Sequence, residues 1–436
     1  MQHIVSLLYI SEFLLLLLIF LYLLFKRGPT FKGGIAFGLL FFIFIPIWVM
    51  IFTGEVELSK TDFGSTKISD VILKNDIKAS FIFLGYIFFI ILYLYTPNNF
   101  NNKLSEIRRR LNLPLYLAIY LISTSIIMLG SGILKGGNWY YNRHEFFDSS
   151  GSFAVLVAFI LNASKILVIT TLISKWYLKE IKLYKFILLV GTFTFWDMIF
   201  SGNRIYLFCT AILIFIIYLR RFPIKSFLLI PIGIPLVFFA GYFASIFRHM
   251  RGPIFSEGFP TLEVFSSNLK RAIALDPPRP DSFFLGISES VNVNVIYDIF
   301  NHYDNYLLGS TYLKSLFFFI PRSIWHSKPE SITVITAKAF GGSSLVTTII
   351  GEMQMNFSLF GMIILPILLW FCEKGLTTFL RNYSQLSGIL LFFFGILIFR
   401  MPFSDELLVF VFVIVILKMS NNLGKIKFKL LNKAFN

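Results

Sequence analysis

Arg204, Arg248, Arg251, Arg322, Lys328 and Arg400 are cations that border or interrupt long apolar stretches. Cations of this kind suit phosphate, and the guanidinium fork does so best because it donates in pairs and stays charged. Arg204 is the sharpest case, because it follows Ser201-Gly202-Asn203, a turn sequence that opens an apolar run. A helix starting there offers free N–H groups and a positive dipole end, so an Arg beside it makes an anion site. The bland alternatives are that Arg204 snorkels to a lipid phosphate, or pairs with Asp197 about two helical turns back. Carboxylates that could serve as a base or orient a hydroxyl are Glu289, Asp298, Asp304, Glu352, Asp405 and Glu406. Glu352 could equally ion-pair with a loop Arg. Trp325 could stack on a sugar ring or anchor at an interface. His144, His249, His302 and His326 are scattered without H-E-x-x-H or paired spacing, so no metal site is expected. The chain has no G-x-S-x-G elbow, no P-loop and no dinucleotide fingerprint, and no cofactor is expected.

These groups must be positioned by a very apolar chain. Of 436 residues 56% are hydrophobic and only 14% charged, against roughly 25% charged in a soluble domain. That excludes a disordered chain and a soluble enzyme. Apolar runs of near-spanning length predict eleven membrane helices, at 4–25, 34–53, 79–95, 114–134, 153–173, 184–200, 205–219, 226–247, 357–372, 386–400 and 403–418. The runs lack the alternation of a barrel strand, so the expected fold is an all-α polytopic membrane protein. The first run has no basic n-region and no A-x-A site, and is read as a retained span rather than a signal peptide. Cys209 and Cys372 fall inside spans, which leaves no disulfide for the loops.

The net charge is +16, which on a soluble protein would suggest nucleic acid. Here its distribution argues otherwise, and no nucleic-acid partner is expected. Segments 26–33, 96–113, 174–185, 220–225, 373–385 and 418–436 are rich in Lys and Arg, and their acids are confined to Glu106, Glu180 and Glu373. In the alternate segments the charges nearly cancel. Short cytoplasmic loops accumulate Lys and Arg. The N-terminus is therefore predicted outside and the C-terminus inside, with the basic tail 419–436 against anionic lipid of the bilayer. Lys165, Asp197 and Glu12 lie within spans, where ionisable groups are costly. Lys165 and Asp197 sit at different depths of their predicted spans, so a direct pair is not required.

The chain then divides into spans one to eight (1–247), a large outer loop (248–356), spans nine to eleven (357–418) and the tail (419–436). The loop is too long to be structureless. Leu262, Phe265, Leu269 and Ile273 recur at helical spacing and predict an amphipathic helix lying in the interface. A second helix is expected over 284–300. The run Leu316 to Ile320 is too short to span and reads as re-entrant or interfacial. The loop is expected to fold over the outer face of the bundle, covering a cavity.

The stretch Phe319-Ile320-Pro321-Arg322-Ser323-Ile324-Trp325-His326-Ser327-Lys328-Pro329 resembles the I-P-R-S-I-W-P-x-K-P signature of Wzy-type repeat-unit polymerases, which build O-antigen and related surface polysaccharides. Ser201-Gly202-Asn203-Arg204 is similar to the family's S-G-x-R at a helix start. Gly351-Glu352 followed by Asn356-Phe357 is similar to its G-E…N-F-G. Two departures stand out: His326 replaces the family's Pro, which argues against His326 as a base, and Ser358 replaces Gly of N-F-G. The paired R-x10-G motifs of some members are absent.

The resemblance implies a glycosyltransferase of the bacterial inner membrane, with a fold like that of O-antigen ligase and other membrane enzymes using lipid-linked donors. It would move the growing glycan from undecaprenyl diphosphate to the terminal sugar of a new lipid-linked repeat unit at the periplasmic face. Its partners would be that lipid-linked oligosaccharide, a chain-length regulator and a flippase. The leaving diphosphate gains negative charge, which fixed cations stabilise. Arg204 and Arg322 are then expected as diphosphate clamps, with Arg248 and Arg251 as additions. Glu352 would be the base or orienting acceptor and Trp325 a sugar platform. Lys328 would be a further cation or would anchor its turn. An O-antigen-type ligase and a lipid-linked oligosaccharide flippase are the alternatives.

Overall fold

In the computed structural model of the chain the described residues are 2–48, 77–97, 111–132, 139–201, 205–221, 242, 246, 250, 261–275, 291–320, 323–339 and 346–435. Among them the regular structure is entirely helical. The helices are α1 (Gln2–Arg27), α2 (Phe31–Leu39), α3 (Ile77–Tyr95), α4 (Leu113–Gly130), α5 (Trp139–Tyr177), α6 (Leu183–Ser201) and α7 (Ile205–Arg221). They continue with α8 (Leu262–Leu275), α9 (Val291–His302), α10 (Ser310–Leu316), α11 (Ile332–Ala339), α12 (Thr348–Phe357), α13 (Gly361–Leu380), α14 (Ser384–Leu397) and α15 (Phe403–Phe435).

Six stretches among the described residues are long and apolar enough to cross a membrane: Ile4–Arg27, Phe31–Trp48, Lys78–Tyr95, Leu113–Gly130, Phe153–Tyr177 and Thr348–Tyr383. Leu, Ile and Phe fill them all round, as expected where the solvent is lipid and the backbone must satisfy itself. Leu7, Leu14, Leu18, Leu121, Ile187 and Leu188 are exposed apolar side chains on the outer helices. The predicted run 226–247 lies largely outside the described residues. Within the described residues every other predicted run falls mainly on helix, while 49–53 and 133–134 of the runs 34–53 and 114–134 lie outside them.

Helix α14 stands at the centre, against α2, α5, α7 and α13. Its closest neighbour is α2, and small residues make the approach possible. A Cβ on Gly34 would overlap the Phe392 carbonyl oxygen, one on Gly395 would fall 2.7 Å from the Ile35 nitrogen, and one on Gly38 3.1 Å from the Ile396 oxygen. This is the small-residue packing by which membrane helices gain contact when lipid offers no hydrophobic drive. The turn into α2 is set locally: the Thr30 hydroxyl accepts the Gly33 N–H at 3.1 Å and caps the helix.

Three predicted boundaries need correction. Helix α5 starts at Trp139 and runs 39 residues, so 139–152, expected as a loop, is helical and continuous with the span. At 1.5 Å per residue α5 is about 58 Å long, nearly twice the hydrocarbon thickness. Helix α12 begins at Thr348, inside the predicted loop, and Ile349, Ile350, Glu352 and Met353 are all buried. Its interspersed Glu352, Gln354 and Asn356 obscured the apolar pattern. The tail is the continuation of α15 as far as Phe435.

The large connection also differs from expectation in its centre. Helix α9 does not cover the bundle: Val293, Ile296, Tyr297 and Phe300 belong to the main core, against α3 and α12. The Tyr297 and Tyr9 hydroxyls are hydrogen-bonded to each other, tying α9 to α1. Helix α8 has the predicted amphipathic form. Ala272 is buried against Ile246 and Met250, while Leu262 is 88% exposed. The turn after α10 likewise exposes Leu316, Phe317, Phe319 and Ile324, a surface suited to a lipid interface.

Candidate functional site

The stretch Gly351–Phe357 is hydrogen-bonded to α10, the helix that precedes the signature segment. The Thr311 hydroxyl donates to Glu352 Oε1 at 2.9 Å, and Asn356 Nδ2 donates to Thr311 Oγ1 at 2.9 Å and to the Glu352 carbonyl at 2.8 Å. The Leu307 and Leu308 amides bond to the Met355 and Asn356 carbonyls at 2.9 and 3.0 Å. Gly309, at φ 81°, turns the chain into α10. Helix α10 then leads directly into the Phe317–Pro329 turn.

Glu352 is 0% exposed. Its second oxygen, Oε2, accepts the Ser404 amide at 3.1 Å, one of the free N–H groups at the start of α15, where an anion is favoured. Among the described residues the carboxylate is thus held by neutral donors, a hydroxyl and a helix N-terminus, not by a loop Arg. It staples α12 to α10 and α15. Asp405, next to Ser404, accepts the Thr333 hydroxyl of α11 at 3.2 Å.

Lys328 anchors its turn. Its ammonium donates to the Phe318 and Ile320 carbonyls at 2.8 and 2.7 Å, closing the loop that carries the signature segment. Trp325 is half-buried; its indole N–H donates to Ser327 Oγ at 3.2 Å, and its ring lies edge-on to Phe317 at 6.4 Å. Pro321 and Arg322, between these anchors, lie outside the described residues, as do Arg204, Arg248 and Arg251. Ser201 ends α6 and Ile205 opens α7, which brackets Arg204.

A second polar set joins α4, α5, α6 and α7. Lys165 Nζ is 2.8 Å from Asp197 Oδ1, with both side chains buried. The Tyr120 hydroxyl donates to the same oxygen at 3.1 Å, and the ammonium stands 4.4 Å from the centre of the Tyr206 ring. The sequence reading did not require this pair, because depth was judged from predicted span ends. Counted from the shared turn at 178–182, Lys165 and Asp197 stand about 18 and 21 Å along α5 and α6, which is nearly level. Tyr206 and Cys209 on α7 lie within the electrostatic reach of Arg400 and Glu406.

Long apolar helices packed through small residues, with polar groups gathered in the interior, define a helical membrane protein. The chain matches no protein-family model, no curated protein and no solved structure.

Proposed function

We propose that the chain is a Wzy-type repeat-unit polymerase of the bacterial inner membrane. It has eleven spans, a periplasmic N-terminus and a cytoplasmic C-terminus. It transfers the growing glycan from undecaprenyl diphosphate to the terminal sugar of a new lipid-linked repeat unit. The observation supporting this reading is that α10, which runs straight into the segment resembling I-P-R-S-I-W-P-x-K-P, is hydrogen-bonded through Thr311 to Glu352 and Asn356 of the stretch resembling G-E…N-F-G.

In this reading the Lys328 knot presents Arg322 to the lipid diphosphate, and Arg204 approaches it from the start of α7. Arg248 and Arg251 add positive charge. A fixed cation at the leaving diphosphate is worth the most where water is excluded. Glu352 holds α12 against α15 and α10. Arg322→Lys keeps the charge but loses the fork. It is expected to lower chain lengthening about 10²–10³-fold in proteoliposomes supplied with purified lipid-linked repeat units, while membrane assembly is unchanged. Normal glycan ladders from that variant would remove Arg322 from the clamp.

The second reading, a lipid-linked oligosaccharide flippase, is favoured by the Lys165–Asp197 pair, because polar paths of transporters place such groups deep in their spans. Translocation of labelled lipid-linked units without lengthening would select it.

A further inference from the structure

Helix α15 serves as a depth gauge for the chain between α10 and α11. At its start the Ser404 amide is bonded to Glu352 of α12, and further along the Leu417 carbonyl accepts the Tyr383 hydroxyl at 3.0 Å. Helix α15 thus accompanies the membrane-length stretch Thr348–Tyr383 from near one end to the other.

Both limbs of the connection stand level with the first turn of α15. Thr311 of α10 shares Glu352 with Ser404, and the Thr333 hydroxyl of α11 donates to Asp405 at 3.2 Å. The exposed Lys338–Glu330 pair, at 2.6 Å, puts water at the same end. Between the limbs the chain descends. The Phe318 ring meets Phe412 edge-on, with centroids 5.6 Å apart. Phe412 lies two helical turns beyond Asp405, about 10 Å along the axis, where one hydrocarbon leaflet is about 15 Å thick. Irregular backbone survives at such depth only if its polar groups are satisfied. The Lys328 ammonium does this for the Phe318 and Ile320 carbonyls beyond the end of α10.

The two sides of the descending limb differ. Helix α10 packs on α15, and Thr311 and Ser315, one turn apart, are buried. Leu313, Leu316, Phe317, Phe319 and Ile324 are between 41% and 74% exposed, with exposed Ser323, His326 and Ser327 as a polar rim at the tip. On α15 the row Val411, Val415 and Met419, with one turn between neighbours, is exposed as well. Phe318 reaches α15 at Phe412, next to that row. The bare side of the connection therefore continues a face that lipid is expected to cover.

We propose that 310–320 and 323–333 form a re-entrant hairpin sunk into one leaflet, and that the hydrocarbon chains of bulk phospholipid cover Leu313, Leu316, Phe317, Phe319 and Ile324. The signature segment is then held within the leaflet, below the level at which α14 turns into α15, and not over the outer face of the bundle. The inference stands apart from the polymerase reading, since it uses only depth and apolar exposure.

The test uses the full chain in phospholipid vesicles with Cys209→Ala and Cys372→Ala. Single nitroxide labels are placed at Phe319→Cys, Ile324→Cys and, as the water-facing reference, Lys338→Cys. At 319 and 324 collisions with oxygen are expected to exceed those with a water-soluble nickel chelate several-fold, and at 338 the order should reverse. Nickel collisions at 319 and 324 equal to those at 338 would overturn the inference, because the hairpin would lie in water. Few collisions with either reagent would also overturn it, since protein, such as a second copy, would then cover the surface. Oxygen collisions that fall on adding undecaprenyl phosphate, but not on adding phosphatidylglycerol, would give the surface to an isoprenoid chain and sink the bulk-lipid assignment. A second measurement needs no label: the emission that Trp325→Phe removes should be quenched by phospholipids brominated along their chains. Quenching by aqueous iodide instead counts against the hairpin.

Discussion

The two buried polar sets of this protein are built on opposite rules. Across α4, α5, α6 and α7, Lys165 meets Asp197 at 2.8 Å, with the Tyr120 hydroxyl and the Tyr206 ring beside them. Charge there is cancelled within the set. Across α10, α12 and α15, Glu352 is satisfied by Thr311 and Ser404, while Glu406 is buried with no hydrogen-bond partner among the described residues. A set that closes on itself serves the packing of its helices. A buried acid without a hydrogen-bond partner instead costs stability. Membrane interiors sharpen the contrast, since no bulk water reaches the unpaired group.

The largest effect follows from breaking the closed set. Lys165→Met removes the cation that Asp197 meets at 2.8 Å and leaves that buried carboxylate without this opposite charge. Destabilisation of about 3–5 kcal/mol is expected, as for one partner removed from a buried pair. The double variant Lys165→Met with Asp197→Leu should recover most of it. Thermal unfolding of the purified protein in detergent reads both, and a single variant as stable as the unmodified chain would show the pair to be incidental.

The next effect compares the two acids of the second set directly. Glu352→Gln keeps one acceptor oxygen where two donors, the Thr311 hydroxyl and the Ser404 amide, need one each. One donor loses its acceptor, at a cost of about 1–3 kcal/mol. The same substitution at Glu406 is expected to hold or raise stability. Opposite signs at two acids packed on the start of one helix would establish that only one of them serves the fold. Equal losses would erase the distinction.

Much of the helical framework was legible, because lipid forces apolar runs into helices and those runs are long in this chain. The amphipathic α8 was legible for the same reason: Leu262, Phe265, Leu269 and Ile273 repeat at helical spacing. What escaped the sequence was register between helices. Lys165 and Asp197 pair because both are counted from one turn. Glu352 finds partners 41 and 52 residues away in sequence, and nothing local marks Thr311 or Ser404. The buried position of α9 was hidden by its Asn residues at 292 and 294, which break an otherwise apolar stretch. Lys328 was half legible: its role as turn anchor stood beside its role as a cation, and only the Phe318 and Ile320 carbonyls decide between them.

The smallest effect concerns the hinge between α12 and α13. Ser358 has φ 53° and ψ −142° at the end of α12, a backbone conformation in which a Cβ is strained and glycine is at ease. The resembling motif carries Gly at this position. The Tyr86 hydroxyl lies 3.1 Å from both the Ser358 carbonyl and Gln354 Oε1, and its one proton is shared between them. The break is therefore held by α3 from outside rather than relaxed by its own residue. Ser358→Gly removes the strained Cβ and keeps the carbonyl. Stabilisation of about 1 kcal/mol is expected after the entropy glycine loses on folding. Measured by the same thermal unfolding, a rise would show that the bend is imposed by packing around α12. A fall would show that the Ser358 side chain, and not only its backbone, holds α12 in place over Glu352.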